Sequence, residues 1–298
     1  MPDAPCPLIE TAIAPRDEIA RAQLREALPQ LAAADADFTF GRDAESGQIV
    51  LKVMREAQLE QTLMLLRSVY EIAFDAGAPQ VAYRETLSRA ATVTHTHKKH
   101  IGPAYQFAKV TIAFAPLAQG SGFVFANEAG GAVPDEFMPG VERGLRAQKE
   151  SGSLAGFPVI DVKATLVDGA YHEVDSNVMS FDIAARAAFR ALADEGVAIL
   201  LEPVMALEIA VPQDHLGGVI GDLKARHASV SATEDGVDDF AIIAAEAPLA
   251  HLFGYGRALM AMTQGSARFT MRFARYAPAL APGSPDGAFP GATGRRVA

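Results

Sequence analysis

Residues Gly156–Ser176 read GFPVIDVKATLVDGAYHEVDS, and the rest of the chain is organised around this stretch. Asp161, Lys163 and Thr165 alternate with apolar residues, which predicts a strand with one buried side and one side in water. Asp168-Gly169 then indicates a turn, because both residue types favour turns. The stretch therefore predicts a half-buried strand followed by a turn.

The predicted turn leads into a loop that contains an aromatic residue, a histidine and an acid. Tyr171, His172 and Glu173 lie in this loop, and Asp175 or Ser176 would cap a helix after it. A lone loop histidine is usually only solvated, unless partners close in space make it functional. Adjacent residues of an extended chain point apart, so His172 and Glu173 are not expected to form an acid–base pair. His172 and Tyr171 are candidate site residues, because loops held by rigid strands often carry function.

The composition is that of an ordinary globular protein. The chain has 298 residues, of which 50% are hydrophobic, and this length suggests two or three domains. It contains no apolar run of about 18 residues, so no membrane span is expected, and its N-terminus lacks a signal-peptide pattern. The single cysteine, Cys6, excludes an internal disulfide framework and a cysteine zinc cluster. These features predict a cytoplasmic protein.

The charge is unevenly distributed along the chain. A net charge of −10 argues against non-specific nucleic-acid binding, since phosphate contacts need Lys and Arg. However, Thr86–Asn127 contains no Asp or Glu. The same window contains basic residues and histidines: Arg89, His95, His97, Lys98, Lys99, His100 and Lys109. This region is therefore a candidate surface for a polyanion.

The histidines of this window also raise the question of a metal site. His95 and His97 would share a strand face, but no carboxylate or cysteine nearby completes a set of metal ligands, so no metal site is expected.

Two parts of the chain repeat the element order β-α-β-β-α-β, which is typical of a ferredoxin-like split βαβ unit. The elements predicted for the first part are Leu8–Pro15, Glu18–Ala33, Asp37–Arg42, Gln48–Met54, Ala57–Phe74 and Gln80–Thr86. Those predicted for the second part are Met205–Val211, a helix from Asp214, Ala228–Thr233, Phe240–Ala245, Leu252–Met262 and Arg268–Tyr276. We expect a duplicated module that flanks a different domain.

The middle of the chain contains predicted helices near Glu136–Glu150 and Val178–Glu195. We expect domains at residues 1–88, 89–201 and 202–280. The remaining residues, 281–298, are rich in Pro, Gly and Ala, which predicts a disordered tail.

Several motifs, in this order, resemble bacterial elongation factor G. They are PQVAYRET at 79–86, HKK at 97–99, GSGFVF at 120–125, the Gly156–Ser176 stretch, EPVM at 202–205, GGVIGDL at 217–223, LFGY at 252–255 and TQG at 263–265. The resemblance covers nearly all of the chain up to Tyr276 and corresponds to domains III, IV and V of that family. It implies an α+β fold with two ferredoxin-like βαββαβ domains flanking an α/β domain IV, which has a left-handed β-α-β crossover.

The resemblance also implies a function. In that family the histidine that matches His172 lies at the tip of domain IV, which enters the decoding centre of the small ribosomal subunit, while domain V approaches the sarcin-ricin loop of the large subunit. The expected partners are therefore the ribosome and the tRNA–mRNA complex, with no membrane partner, and the expected state is a monomer. The residues expected to contact RNA at the tip are Tyr171, His172, Lys98, Lys99, Tyr105, Gln106 and Lys109. Tyr105 could equally well pack within the domain instead of contacting RNA. The lysines could equally well be solvated residues at the end of a strand.

The sequence departs from the family pattern in three places. No G-x-x-x-x-G-K-[ST] motif occurs, so no catalytic set and no cofactor are expected within this chain; GTP and Mg²⁺ belong to the family's GTPase domain. The family's G-x-G-E-L-H-L reads here as Val53–Leu59, without either glycine or the histidine. The family's tip pattern G-G-x-G-Q-[YF]-G reads GPAYQFA here, at Gly102–Ala108: Gln106 and Phe107 are kept, while Pro103, Ala104 and Ala108 remove some of the backbone freedom that glycines give. These changes suggest a diverged paralogue.

Two alternatives to a translocation factor remain open. One is a sister activity, either ribosome recycling or ribosomal protection against tetracycline. The other is a stand-alone module that binds the ribosome or RNA without a GTPase.

Overall fold

The computed structural model describes residues 7–42, 48–101, 104–236 and 239–279. The predicted tail at 281–298 lies outside the described residues. The chain divides into two compact units: unit 1 comprises Met1–Ala82 with Glu202–Ala298, and unit 2 comprises Tyr83–Leu201. No helix among the described residues is long and apolar enough to cross a membrane.

The strands and helices follow one another in mixed order along the chain. The strands are β1 (Ile9–Pro15), β2 (Thr39–Arg42), β3 (Ile49–Val53), β4 (Phe74–Ala76), β5 (Gln80–Val81), β6 (Arg84–Leu87), β7 (Ala91–Ile101), β8 (Ala104–Pro116), β9 (Phe123–Asn127), β10 (Val162–Ala170), β11 (Ala198–Pro212), β12 (Ser229–Asp235), β13 (Phe240–Pro248) and β14 (Arg268–Pro278). The helices are α1 (Glu18–Ala34), α2 (Glu56–Ser68), α3 (Met138–Ser151), α4 (Val178–Arg190), α5 (Leu216–Ala225) and α6 (Tyr255–Met262).

Unit 1 contains the two predicted ferredoxin-like modules. The first sheet has the strand order β2-β3-β1-β4, and the second has the same order, β12-β13-β11-β14. The first helix of the first module begins where Asp17 accepts a 2.7 Å hydrogen bond from the backbone N–H of Ala20. The predicted α+β class with two ferredoxin-like modules is confirmed.

The second predicted helix is too long at its C-terminal end. It ends at Ser68 rather than at Phe74. Glu71 has a φ of 52°, which a continuing α-helix does not allow. Phe74 instead pairs with Pro15 in the sheet and is 4% exposed. Past residue 68 the apolar residues do not form a helix stripe: Ile72 and Phe74 are buried, whereas Val69 is 68% exposed.

Unit 2 is a sheet of four strands with two helices on one side. The strand order is β7-β8-β10-β9, with β10 antiparallel to β8 and parallel to β9. The two parallel neighbours are joined through α3, as expected for a β-α-β crossover; the left-handed sense of this crossover remains a prediction. Side chains from the sheet and from both helices form one core, which includes Ile112, Phe114, Val141, Leu145, Leu166, Phe181 and Phe189.

The two helices approach each other closely at glycines of α3. A Cβ on Gly140 would lie 2.2 Å from the carbonyl oxygen of Val178, and one on Gly144 would lie 2.4 Å from that of Asp182. Any side chain at these two positions would push α4 away, so the glycines set the spacing of the helix pair.

Two predictions for the Gly156–Ser176 stretch are wrong. Asp168-Gly169 is not a turn but lies within β10, where the register shifts between Leu166 and Asp168. Asp161 and Thr165 do not face water, since they are 6% and 7% exposed. Asp161 has a φ of 57° and accepts a hydrogen bond from the backbone N–H of Gly122, so its carboxylate serves a loop within the fold.

Candidate nucleic-acid interface

The end of the β7–β8 hairpin places the predicted site residues on opposite sides of the sheet. Thr96 pairs with Lys109, Lys98 with Phe107, Lys99 with Gln106 and His100 with Tyr105. Because side chains alternate along a strand, these pairs point to the two sides in turn. We call the side that faces the helices the inner face, and the other side the outer face. The outer face includes Thr92, Thr94, Thr96, Lys98, His100, Tyr105, Phe107, Lys109, Thr111, Lys163, Thr165 and Asp168.

The outer face contains a pair of stacked rings. The rings of His100 and Tyr105 are 4.2 Å apart between centroids, with an angle of 11° between their planes. Tyr105 remains 54% exposed. Lys98 is exposed and Lys109 is half-buried on the same face. Tyr105 thus packs against its hairpin neighbour while leaving much of its surface open to a partner.

The inner face of the hairpin carries polar side chains that are hydrogen-bonded or partly buried. Nε2 of His97 lies 3.0 Å from Oε1 of Gln106, so these two side chains are hydrogen-bonded. Burial, followed by the nearby charge of His97, lowers the pKa of His95 below its ordinary value. His95 is therefore neutral at neutral pH. The described residues contain no group of three or more His, Cys, Asp or Glu side chains that could hold a metal ion.

The loop that carries His172 is folded on itself by hydrogen bonds. The backbone N–H of His172 donates to Oγ of Ser176 at 2.9 Å, and the backbone N–H of Ser176 donates to the carbonyl of His172 at 3.0 Å. Nδ1 of His172 lies 3.3 Å from the backbone nitrogens of Val174 and Asp175 and 3.2 Å from a carboxylate oxygen of Asp175. This leaves Nε2 as the ring nitrogen without a hydrogen bond within the described part of the chain.

The same loop is fastened to the hairpin. The hydroxyl of Ser176 donates a 2.7 Å hydrogen bond to the carbonyl of Phe107, whose own backbone N–H donates to the carbonyl of Asp175 at 3.0 Å. Further along, Ala170 pairs with Lys109 at the end of β10. His172 is 57% exposed in its side chain, so it lies at the surface beside the hairpin.

Tyr171 is held differently from the other candidates. Its ring lies 6.1 Å from that of Phe137, a residue of the unit 2 core, yet Tyr171 is 44% exposed.

The prediction that Asp175 or Ser176 caps the helix after the loop is wrong. Asn177 caps it, with its side chain accepting a 2.8 Å hydrogen bond from the backbone N–H of Ser180.

The structure thus brings the candidates from two distant segments together at one end of unit 2. Lys98, Tyr105 and Lys109 lie on the outer face, whereas Lys99 and Gln106 lie on the inner face. Gly102 and Pro103 of the altered tip are outside the described residues. The bridging role of Ser176 is not visible in the sequence, because nothing in a single serine signals a partner 69 residues away.

These features define a class of α+β protein in which two ferredoxin-like modules accompany a sheet-and-helix unit with a basic, aromatic hairpin. Sequence models for three domains of one family match almost the whole chain. Elongation factor G domain III matches residues 4–78, elongation factor G domain IV matches 79–196, and the elongation factor G C-terminus matches 199–282. The chain therefore belongs to the elongation factor G family, as the sequence motifs predicted.

Two known proteins show how far the similarity extends. The chain is 46% identical over 278 residues to elongation factor G of Rhodopseudomonas palustris (strain BisB18), a match that covers 93% of this chain and 40% of that protein. A crystal structure from Thermus thermophilus is similar with a TM-score of 0.71 and 32% identity, over 93% of this chain and 42% of that one. The chain thus spans 40–42% of the length of these two proteins.

Proposed function

We propose that this chain is the ribosome-facing part of an elongation factor G-type translation factor that works in the cytoplasm. In this proposal the end of unit 2 enters the decoding site of the small subunit and occupies space beside messenger and transfer RNA. It blocks back-slippage while GTP hydrolysis elsewhere in the factor drives translocation, and the C-terminal module approaches the sarcin-ricin loop of the large subunit.

The observation that carries the proposal is the convergence of His172 with the hairpin. Ser176 fastens the His172 loop to Phe107, so the imidazole lies beside the hairpin that carries the outer-face lysines Lys98 and Lys109. Lysines suit phosphate contacts, and an imidazole with a free Nε2 can donate to a phosphate or a ribose oxygen. In this proposal the imidazole and the lysines contact neighbouring parts of the same RNA.

The chain itself makes or breaks no bond in this mechanism. Nothing in its sequence provides a P-loop, so GTP and Mg²⁺ would bind to a GTPase domain of the kind found in the family. The contribution of this chain is steric and electrostatic, and it acts as a monomer.

The test is the substitution His172→Ala in the full-length protein, measured by single-turnover translocation on ribosomes. We expect slower translocation with unchanged GTP hydrolysis, because the change removes the imidazole that would contact RNA and leaves the GTPase domain untouched. The matched control is His215→Ala, the same substitution in unit 1, which should leave the rate unchanged. An unchanged rate for His172→Ala would remove this residue from the mechanism.

Ribosome recycling or ribosomal protection is the second candidate, and the altered Gly102–Ala108 segment is the observation that favours it. Measuring subunit splitting and tetracycline protection beside translocation separates these activities. Ribosome binding that is independent of any nucleotide would instead support a stand-alone module.

A further inference from the structure

The outer face of unit 2 is a sheet surface that the helices of the unit leave uncovered. Both helices pack against the inner face, where residues such as Val110, Ile112 and Phe114 are fully buried. On the outer face, Thr92, Thr94 and Thr96 are exposed. Such a surface can receive a partner without any rearrangement of the core.

The charge of this face favours an anionic partner. Among its described residues the ionised side chains are Lys98, Lys109, Lys163 and Asp168. The hydroxyls of Thr94 and Thr111 are bonded to each other at 2.9 Å and add polar groups without charge. This surface carries three lysines and one carboxylate, so it is locally positive although the whole chain has a net charge of −10. A locally positive surface favours phosphate groups.

The stacked rings indicate what kind of anion fits. His100 and Tyr105 lie nearly parallel, and Phe107 follows two residues later on the same strand and the same face. Aromatic rings on an exposed sheet, flanked by lysines, form the surface on which unpaired bases stack. The rings are already ordered by their contact with each other, so little conformational entropy would be lost on binding. An acidic peptide would use the lysines but not the rings.

We propose that the His100–Tyr105 pair is a stacking platform for an unpaired RNA base, with Lys98 and Lys109 holding the adjacent phosphates. The choice of RNA rests on the proposed function. Duplex RNA does not fit, because its bases are stacked on each other and cannot reach the rings. Tyr105 stands where the family's tip pattern has a glycine, so the platform is a property of this chain.

The proposal divides the basic residues of the hairpin by face. Lys98 contacts RNA, whereas its neighbour Lys99 points to the inner face and does not. Gln106 is hydrogen-bonded to His97 and takes no part in binding. If charge alone decided binding, Lys98 and Lys99 would contribute equally, because they are adjacent in the chain and both exposed.

The experiment measures binding of the whole 298-residue chain to a fluorescein-labelled oligouridine of about 12 nucleotides by fluorescence anisotropy at low salt. The same strand annealed to oligoadenosine is the duplex control. Tyr105→Ala should weaken single-strand binding roughly 5- to 150-fold, the range expected for loss of one stacked base, while Tyr105→Phe should bind like the wild type. Lys98→Ala should weaken binding and lower the salt dependence, and Lys99→Ala is the matched control that should do neither.

Several outcomes would overturn the platform: no binding to the single strand, equal binding to the duplex, unchanged binding by Tyr105→Ala, or equal effects of Lys98→Ala and Lys99→Ala. The assay uses no ribosome and no GTP. If Tyr105→Ala binds normally while His172→Ala still slows translocation, the platform fails and the proposed function stands. If the platform variants behave as expected while His172→Ala translocates normally, the platform stands and the role of His172 fails.

Discussion

Glu85 provides the sharpest test of how unit 2 holds its shape. Its side chain is fully buried, at 0% exposure, in β6. One carboxylate oxygen accepts from the backbone N–H groups of Ala155 and Phe157, at 2.8 and 3.1 Å. The other accepts from the backbone N–H groups of Ser153 and Leu154 at 2.6 and 2.9 Å, and from the hydroxyl of Ser153. A single acid thus ties down the whole segment between α3 and β10.

The substitution Glu85→Gln keeps the size and the buried position but replaces one oxygen by an NH₂ group. In the better of its two orientations this NH₂ faces the N–H groups of Ala155 and Phe157, which lose their acceptor. An unsatisfied donor costs about 1–3 kcal/mol, and the two N–H groups are only partly buried, so we expect unit 2 to lose about 2–4 kcal/mol. The adjacent backbone leaves little room to adjust, because a Cβ on Gly152 would lie 2.6 Å from Glu85 Oε1.

The assay is hydrogen–deuterium exchange followed by mass spectrometry, read on the central residues of β8, such as Ile112 and Phe114. A loss of about 2–4 kcal/mol accelerates exchange of globally protected amides roughly 30- to 1,000-fold. The matched control is Glu142→Gln, also in unit 2, whose carboxylate is 40% exposed and pairs with Arg146. That surface pair is worth about 0.3–0.5 kcal/mol, so its loss should alter exchange by less than about three-fold. If Glu85→Gln exchanged no faster than this control, the carboxylate would not be the anchor of the segment.

Two further predictions concern unit 2. Ser176→Ala removes the hydrogen bonds to Phe107 and from His172, so the amides of 172–176 should exchange roughly ten-fold faster by NMR, while Ser176→Thr keeps the hydroxyl and should not change them. Burial alone would raise the pKa of Asp182, but hydrogen bonds from Arg186 and Arg143 outweigh it and hold this pKa below its ordinary value. The ionised form therefore stabilises the fold above about pH 4, and this contribution is lost as the pH falls through the folded pKa. In urea unfolding, Asp182→Asn should cost stability at about pH 5 and much less at about pH 2.5; a difference that stays constant with pH would contradict the assignment.

Most of the element order could be read from local patterns. The helix after Asp17, the repeated β-α-β-β-α-β order and the strand within Gly156–Ser176 all follow from periodicity and turn residues. The errors occurred where the sheet overrides a local signal. Phe74 continues an apolar helix pattern but pairs with β1, and Asp168-Gly169 has a turn composition but pairs with β8.

The candidate site was found only in part. The motifs identified His172 and the hairpin residues, and the acid-free window marked the region as one for a polyanion. The division of the hairpin into two faces, and the contact between His100 and Tyr105, depend on strand register. Register is set by cross-strand pairing and by which side of the sheet the helices cover, and neither is visible within one short segment.

The sequence by itself determined the family, the order of the elements and the segments that carry the chemistry, because these are properties of neighbouring residues. Only the tertiary structure decided that Ser176 joins His172 to Phe107, that Glu85 anchors a segment 68–72 residues away, and that Lys98 and Lys99 face opposite ways. Such hydrogen bonds connect residues far apart in the chain, and their partners are fixed only when the sheet and helices pack together.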